Sequence, residues 1–115
     1  SNYLIMKEFI LLFRGGKTSE ASNVDLIEHE DAWDAWMEHL ENEGMLIDGL
    51  PMRDTGLLLS KKSMQETDLS VDNGITGYLI IQCEDIDTAT EIAQECPIFD
   101  FDGQLELREL INVRG

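Results

Sequence analysis

Two segments constrain this chain more than anything else in it. Ile5 to Phe13 and Ile75 to Ile81 are rich in β-branched and aromatic residues, with apolar side chains at consecutive positions. Successive side chains of a strand point to opposite faces, so each run predicts a strand that needs cover on both sides. The first, read over residues 5–14, stops at Gly15-Gly16, and the second continues to Cys83.

The clearest helix lies between them. A polar segment leads to Ser22 or Asn23, either of which can cap a helix start. Leu26, His29, Trp33, Trp36, Met37 and Leu40 then recur at spacings of three and four, with Asp31, Asp34, Glu38 and Glu41 opposite and Gly44 as the stop. Met45-Leu46-Ile47 and Leu57-Leu58-Leu59 predict two strands joined through turn chemistry at Pro51, Arg53, Asp54 and Gly56, and residues 60–74 predict a polar loop. Asp85 caps a second helix with the stripe Ile86, Ala89, Ile92, Ala93 and Cys96, closed by Pro97. Leu105 and Leu107 alternate with polar residues as a last strand with one buried face.

The order β-α-β-β-β-α-β predicts an α+β, ferredoxin-like fold with an antiparallel sheet and two helices on one face. Two helices cover only that face. The economical cover for the other is a second copy, two sheets facing each other about a two-fold axis, so a homodimer is expected. No repeat, low-complexity stretch or linker divides the 115 residues, which are expected to form one domain over 1–115, with residues 1–5 read as a tag remnant or N-terminal extension and Met6 as a start.

Charge narrows the partners. The chain has 24 acidic residues against 8 Lys and Arg, a formal net charge of −16, while a 43% apolar fraction argues against disorder. Such a surface repels phosphate backbones and anionic lipids, so neither nucleic acid nor a membrane is an expected partner. The bases gather in small groups: Lys7, Arg14 and Lys17; Arg53, Lys61 and Lys62; Arg108 and Arg114. No apolar run is long enough to predict a transmembrane helix, and Phe9 to Phe13 is too short and lacks the cleavage site of a signal peptide. Cys83 and Cys96 read as free thiols in a reducing compartment, with the cytoplasm as the expectation.

Several motifs taken together resemble the YCII-related, or DGPF-domain, family. They are Met6-Lys7-Glu8-Phe9-Ile10-Leu11-Leu12-Phe13-Arg14, Trp33-x-x-Trp36 with Leu40 and Gly44, and Gly77-Tyr78-Leu79-Ile80-Ile81. Asp87-x-Ala89-x-Glu91-x-Ala93-x-x-Cys96-Pro97, Gly103 and Leu105-Glu106-Leu107-Arg108 complete the pattern. The resemblance implies a dimeric α+β barrel with a small-molecule cleft between the first helix and the sheet. The Asp-Gly-Pro-Phe motif itself is absent: the corresponding region reads Glu66 to Gly77 without it. Relatives proposed to be enzymes place a His on the first helix near an Asp, and Trp33 stands at the position of that His.

Six residues are singled out as site candidates. His29 sits on the helix stripe one turn before Trp33, where an imidazole can serve as acid, base or ligand, the alternative being a hydrogen-bonded His at the core edge. His39 lies roughly 280° further around the helix, so the two cannot share a metal. Asp48 breaks the second strand's apolar run and is the best carboxylate, unless alternation turns it to solvent. Trp33 and Trp36 are about 300° apart, so one is expected in the core and the other in a pocket or interface, with core packing of both as the alternative. Arg14 and Arg108, at strand ends, could fix an anionic ligand, with local ion pairs as the plainer role. No phosphate loop, calcium loop or Ser/His/Asp arrangement is present, and no metal or cofactor is expected. The expected function is a small-molecule cleft serving binding or catalysis, against a structural or regulatory dimer whose cleft is filled by Trp33, or isomerase- or lyase-like chemistry.

Overall fold

The computed structural model describes residues 5–113; residues 1–4 of the expected leading extension, and Arg114, lie outside them. Strand β1 (Lys7–Arg14) leads to helix α1 (Asn23–Asn42) and β2 (Leu46–Pro51). Next come β3 (Thr55–Ser60), β4 (Ser63–Asp68), β5 (Ile75–Cys83), helix α2 (Ile86–Gln94), a 3₁₀ turn (Pro97–Phe101) and β6 (Gln104–Glu109). Four strands form one antiparallel sheet in the order β2-β5-β1-β6. This is the ferredoxin-like arrangement that the element order predicts, an α+β fold.

Alternation along the two central strands decides where the core lies. Phe9, Leu11 and Phe13 of β1 and Leu79, Ile81 and Cys83 of β5 point toward the helices and are buried. Leu40 and Trp36 of α1 and Ala89 and Ala93 of α2 close over them. Phe9, Leu11, Leu40, Leu79 and Ile81 are the largest fully buried side chains, each stabilising the fold by roughly 1.5–3 kcal/mol relative to exposure. Trp36 also ties the two helices together, its indole N–H donating to the Ile92 carbonyl at 3.3 Å.

Both helices begin where side chains cap them. Ser22 Oγ accepts from the Asp25 amide, and an Asp85 carboxylate oxygen accepts from the Thr88 amide. That bond holds the Asp85 carboxyl below its usual range. Helix α1 stops at Gly44, whose φ of +69° is the left-handed conformation that ends helices.

One expected element is corrected. Residues 60–74 are not a loop throughout: Ser63–Asp68 is a strand, joined to β3 by a tight turn at Lys61-Lys62. The two strands expected at 45–47 and 57–59 are joined through the turn but lie in different sheets. β2 pairs with β5, whereas β3 pairs with β4 as a separate two-stranded sheet. The sequence Ser-Met-Gln-Glu-Thr-Asp has no alternation because this hairpin buries neither face, and periodicity only records burial. The Leu69 amide closes the hairpin's base on the Asp54 carbonyl, and the Met52 amide holds its root to Thr76. The molecule is flat, 52 × 46 × 18 Å.

The sheet face turned from the helices carries Ile10, Leu12, Tyr78 and Ile80 at its centre, each partly exposed, with Leu50 beside them 63% exposed. Glu8, Arg14, Asp48, Glu106 and Arg108 surround this apolar centre.

Candidate functional site

A cleft of about 830 Å³ opens between α1, the loop after β1 and the β2–β5 edge of the sheet. Its rim begins at Gly15-Gly16, whose φ angles of +64° and +67° turn the chain sharply off the end of β1. A Cβ on Gly16 would stand 2.5 Å from Ile98 Cδ1, so Ile98 would have to shift, and the positive φ strains any side chain there. Phe13 and Leu79 line the cleft from the sheet, and His29, Trp33 and Met37 line it from α1.

His29 is the most constrained polar group in it. Its side chain is 10% exposed. Nε2 accepts a hydrogen bond from the Trp33 indole N–H at 3.0 Å, which assigns the neutral imidazole's proton to Nδ1. Nδ1 is buried and, among the described residues, has no hydrogen-bond partner. The nearest carboxylate oxygen is Asp100 Oδ2, from the 3₁₀ turn, at 3.8 Å. The Phe101 ring packs on the imidazole at 4.6 Å between centroids. Trp33 in turn meets Phe13 at 5.3 Å and Trp36 at 5.6 Å, both edge-to-face.

The polar rim opposite is built by a relay. Lys17 Nζ donates to Ser70 Oγ at 2.8 Å, and Ser70 Oγ donates to Asp68 Oδ1 at 2.6 Å. The Ser70 hydroxyl and amide hold the Asp68 carboxyl below its usual range, and the Lys17 charge adds to this. Lys17, Thr18 and Ser19 thereby stand at the cleft, with Asp34 and Asp54 on its other borders.

The six sequence-derived residues fall on two sides of the sheet. His29 and Trp33 stand together in the cleft, and Trp36 is buried beside them in the core. Asp48, Arg14 and Arg108 lie on the helix-averted face. Asp48 stands opposite Ile80, its carboxylate accepting from the Gly49 amide at 2.8 Å and the Tyr78 hydroxyl at 3.4 Å. Arg14 donates to the Asn73 carbonyl and pairs with Glu106 at 3.2 Å, and Arg108 reaches the same Glu106 at 3.7 Å. Sequence reasoning missed Lys17 as a cleft residue and Asp100 as a neighbour of His29. The Gly-Gly-Lys-Thr-Ser run after a strand was a usable signal for Lys17; nothing local marks Asp100, which meets His29 only through the fold.

Cys83 and Cys96 are free and buried. Burial pushes the Cys83 thiol up and the Cys96 thiol to about 12. Among the described residues, no three His, Cys, Asp or Glu side chains gather as a metal site, and no helix is long and apolar enough to cross a membrane.

No protein-family model matches the chain, and no curated protein matches its sequence. Among solved structures, its fold is similar to that of 5-chloro-2-hydroxyhydroquinone dehydrochlorinase from Burkholderia phenoliruptrix AC1100, in complex with 2,5-dihydroxybenzoquinone. The TM-score is 0.51 at 17% identity, covering 90% of this chain and 93% of that one. The two chains share an α+β fold.

Proposed function

We propose that this chain is a YCII-related protein, a single domain over residues 1–115, that pairs as a homodimer and binds a small planar molecule in the cleft beside His29 and Trp33. The observation that carries this reading is the His29–Trp33 bond in the wall of an 830 Å³ cleft. A cleft of that volume suits a small ligand, and its mostly apolar lining with a few convergent polar groups is the usual makeup of such sites. The neighbour in fold takes, by its name, a chlorinated hydroxyhydroquinone and was solved with a dihydroxybenzoquinone. The ligand class proposed here is therefore a small oxygenated ring. Trp33 and Phe13 offer it aromatic edges, and Lys17 and Ser19 offer donors to its oxygens.

His29 is the proposed acid–base group. Its Nε2 lone pair is occupied by the indole N–H, so a ring hydroxyl reaches that nitrogen only by displacing the bond from Trp33. The chemistry available to one imidazole in an aromatic cleft is proton transfer on the ring, the step of an isomerase- or lyase-like enzyme. The homodimer reading rests on the uncovered apolar face of Ile10, Leu12, Tyr78 and Ile80. Asp48, Arg14 and Arg108 then belong to the dimer seam. The free thiols suit a reducing compartment such as the cytoplasm.

A thermal-shift screen with small oxygenated aromatic compounds, run on the wild type and on His29→Ala, tests the site. A ligand at 100 times its Kd stabilises by about 2.7 kcal/mol, enough for a shift of several degrees. The shift is expected to shrink in the variant, and a hit that survives unchanged removes His29 from the site. A second reading, a non-catalytic structural or regulatory dimer with Trp33 filling the cleft, is favoured by the aromatic contacts that brace the indole. Binding gained only in Trp33→Ala would establish it.

A further inference from the structure

We propose that the β3–β4 hairpin is an arm that grips a second copy of this chain, reciprocally, so that each arm is covered by the other subunit. The inference rests on the homodimer proposed above and assigns it a second contact away from the sheet face.

The arm is the part of the fold least satisfied by its own chain. Among the described residues, its strands hydrogen-bond to each other and to no strand of the main sheet. The register sets Leu59 opposite Met64, with Leu57 two positions along on the same face. Leu57, Leu59 and Met64 are 52%, 63% and 72% exposed. A lone two-stranded hairpin is marginal in water, and an uncovered apolar one is a template for aggregation. An arm of this composition needs a surface to lie on.

The whole-molecule surface gives the size of the missing cover. The accessible area is 8533 Å², whereas a compact chain of 13.0 kDa exposes about 6,300 Å². The radius of gyration is 16.2 Å, against about 13 Å for a compact domain of this length. The surplus of about 2,000 Å² falls within the share each subunit contributes to an obligate homodimer interface, roughly 1,000–2,500 Å².

Charge points to the same occupant. Lys61 and Lys62, two of the chain's eight Lys and Arg residues, form the tip of the arm. Two copies at −16 repel each other overall. A basic tip laid on the other copy's acidic coat supplies attraction where that repulsion must be overcome, and two-fold symmetry makes the exchange mutual.

The test is hydrogen–deuterium exchange on the full chain over a dilution series, read beside sedimentation velocity. In the dimer, amides of residues 55–68 are expected to be protected, and to exchange at least about tenfold faster where dilution yields monomer. The double substitution Leu59→Glu, Met64→Glu removes two apolar side chains that the chain's own core does not use. It is expected to raise the dimer Kd about 100-fold, with the helical circular dichroism signal unchanged. Arm amides that exchange freely within a persistent dimer would overturn the arm and leave the homodimer standing. A monomer at every concentration would remove both. Arm protection in a monomer, or only in species larger than a dimer or bound to an unrelated acidic protein, would also overturn the reciprocal grip.

Discussion

Trp33 has one indole hydrogen to donate and gives it to His29, so a single bond decides which nitrogen of the neutral imidazole carries the proton. Long-range ¹H–¹⁵N spectra are expected to show His29 as the Nδ1–H tautomer. Trp33→Phe removes the donor and is expected to populate the other tautomer as well; a spectrum unchanged by that substitution would contradict the bond. The stripe spacing brings His29 and Trp33 together in the sequence itself, because residues four apart share a helix face. It says nothing of Asp100 or Phe101, which close on the imidazole from a distant 3₁₀ turn. The thiols give a second prediction at this scale. Cys96, at about 12 against an ordinary 9.0, keeps its proton in the native state where the unfolded chain has lost it. Stability is therefore expected to fall as pH rises through 9 toward 12, and thiol reagents at pH 8 are expected to label Cys96 only on unfolding.

At the scale of elements, caps and stripes were legible and the arm was not. Ser22, Gly44 and Asp85 act locally, through bonds to residues three or fewer positions away or through their own backbone angles, so short sequence windows contain them. Asp85 is lowered chiefly by its bonds with Thr88, so its stabilising effect is present above the unfolded value of 3.8 and is lost as pH falls through the lower native value. Asp85→Asn is expected to keep the cap while flattening this acid dependence, and Asp85→Ala to lower Tm near neutral pH, with the difference from wild type shrinking in strong acid. For the core, Leu40→Ala is expected to cost about 2–5 kcal/mol in denaturant unfolding, because Leu40 is fully buried between α1 and the sheet. β4 has no such signal. Its partner is β3 alone, neither face is buried, and the pattern that betrays other strands never arises.

At the scale of the molecule, one flat sheet with helices on one side leaves an apolar centre bare on the other. Light scattering at micromolar concentration is expected to give twice the 13.0 kDa chain mass; a 13.0 kDa species would reject the homodimer. Leu12→Glu places a charge in the centre of that bare face, with Tyr78 opposite it, and is expected to yield monomers.

The sequence by itself determined the α+β class, the long helix with a cap at Ser22 or Asn23, and the two central strands that show apolar side chains to both faces, because these follow from caps and from periods of two and 3.6 residues that short windows hold. Only the tertiary structure decided that His29 and Trp33 share a cleft with Lys17 while Asp48, Arg14 and Arg108 lie across the sheet from them. A strand's two faces are set by register, and register depends on pairing between segments far apart in the chain.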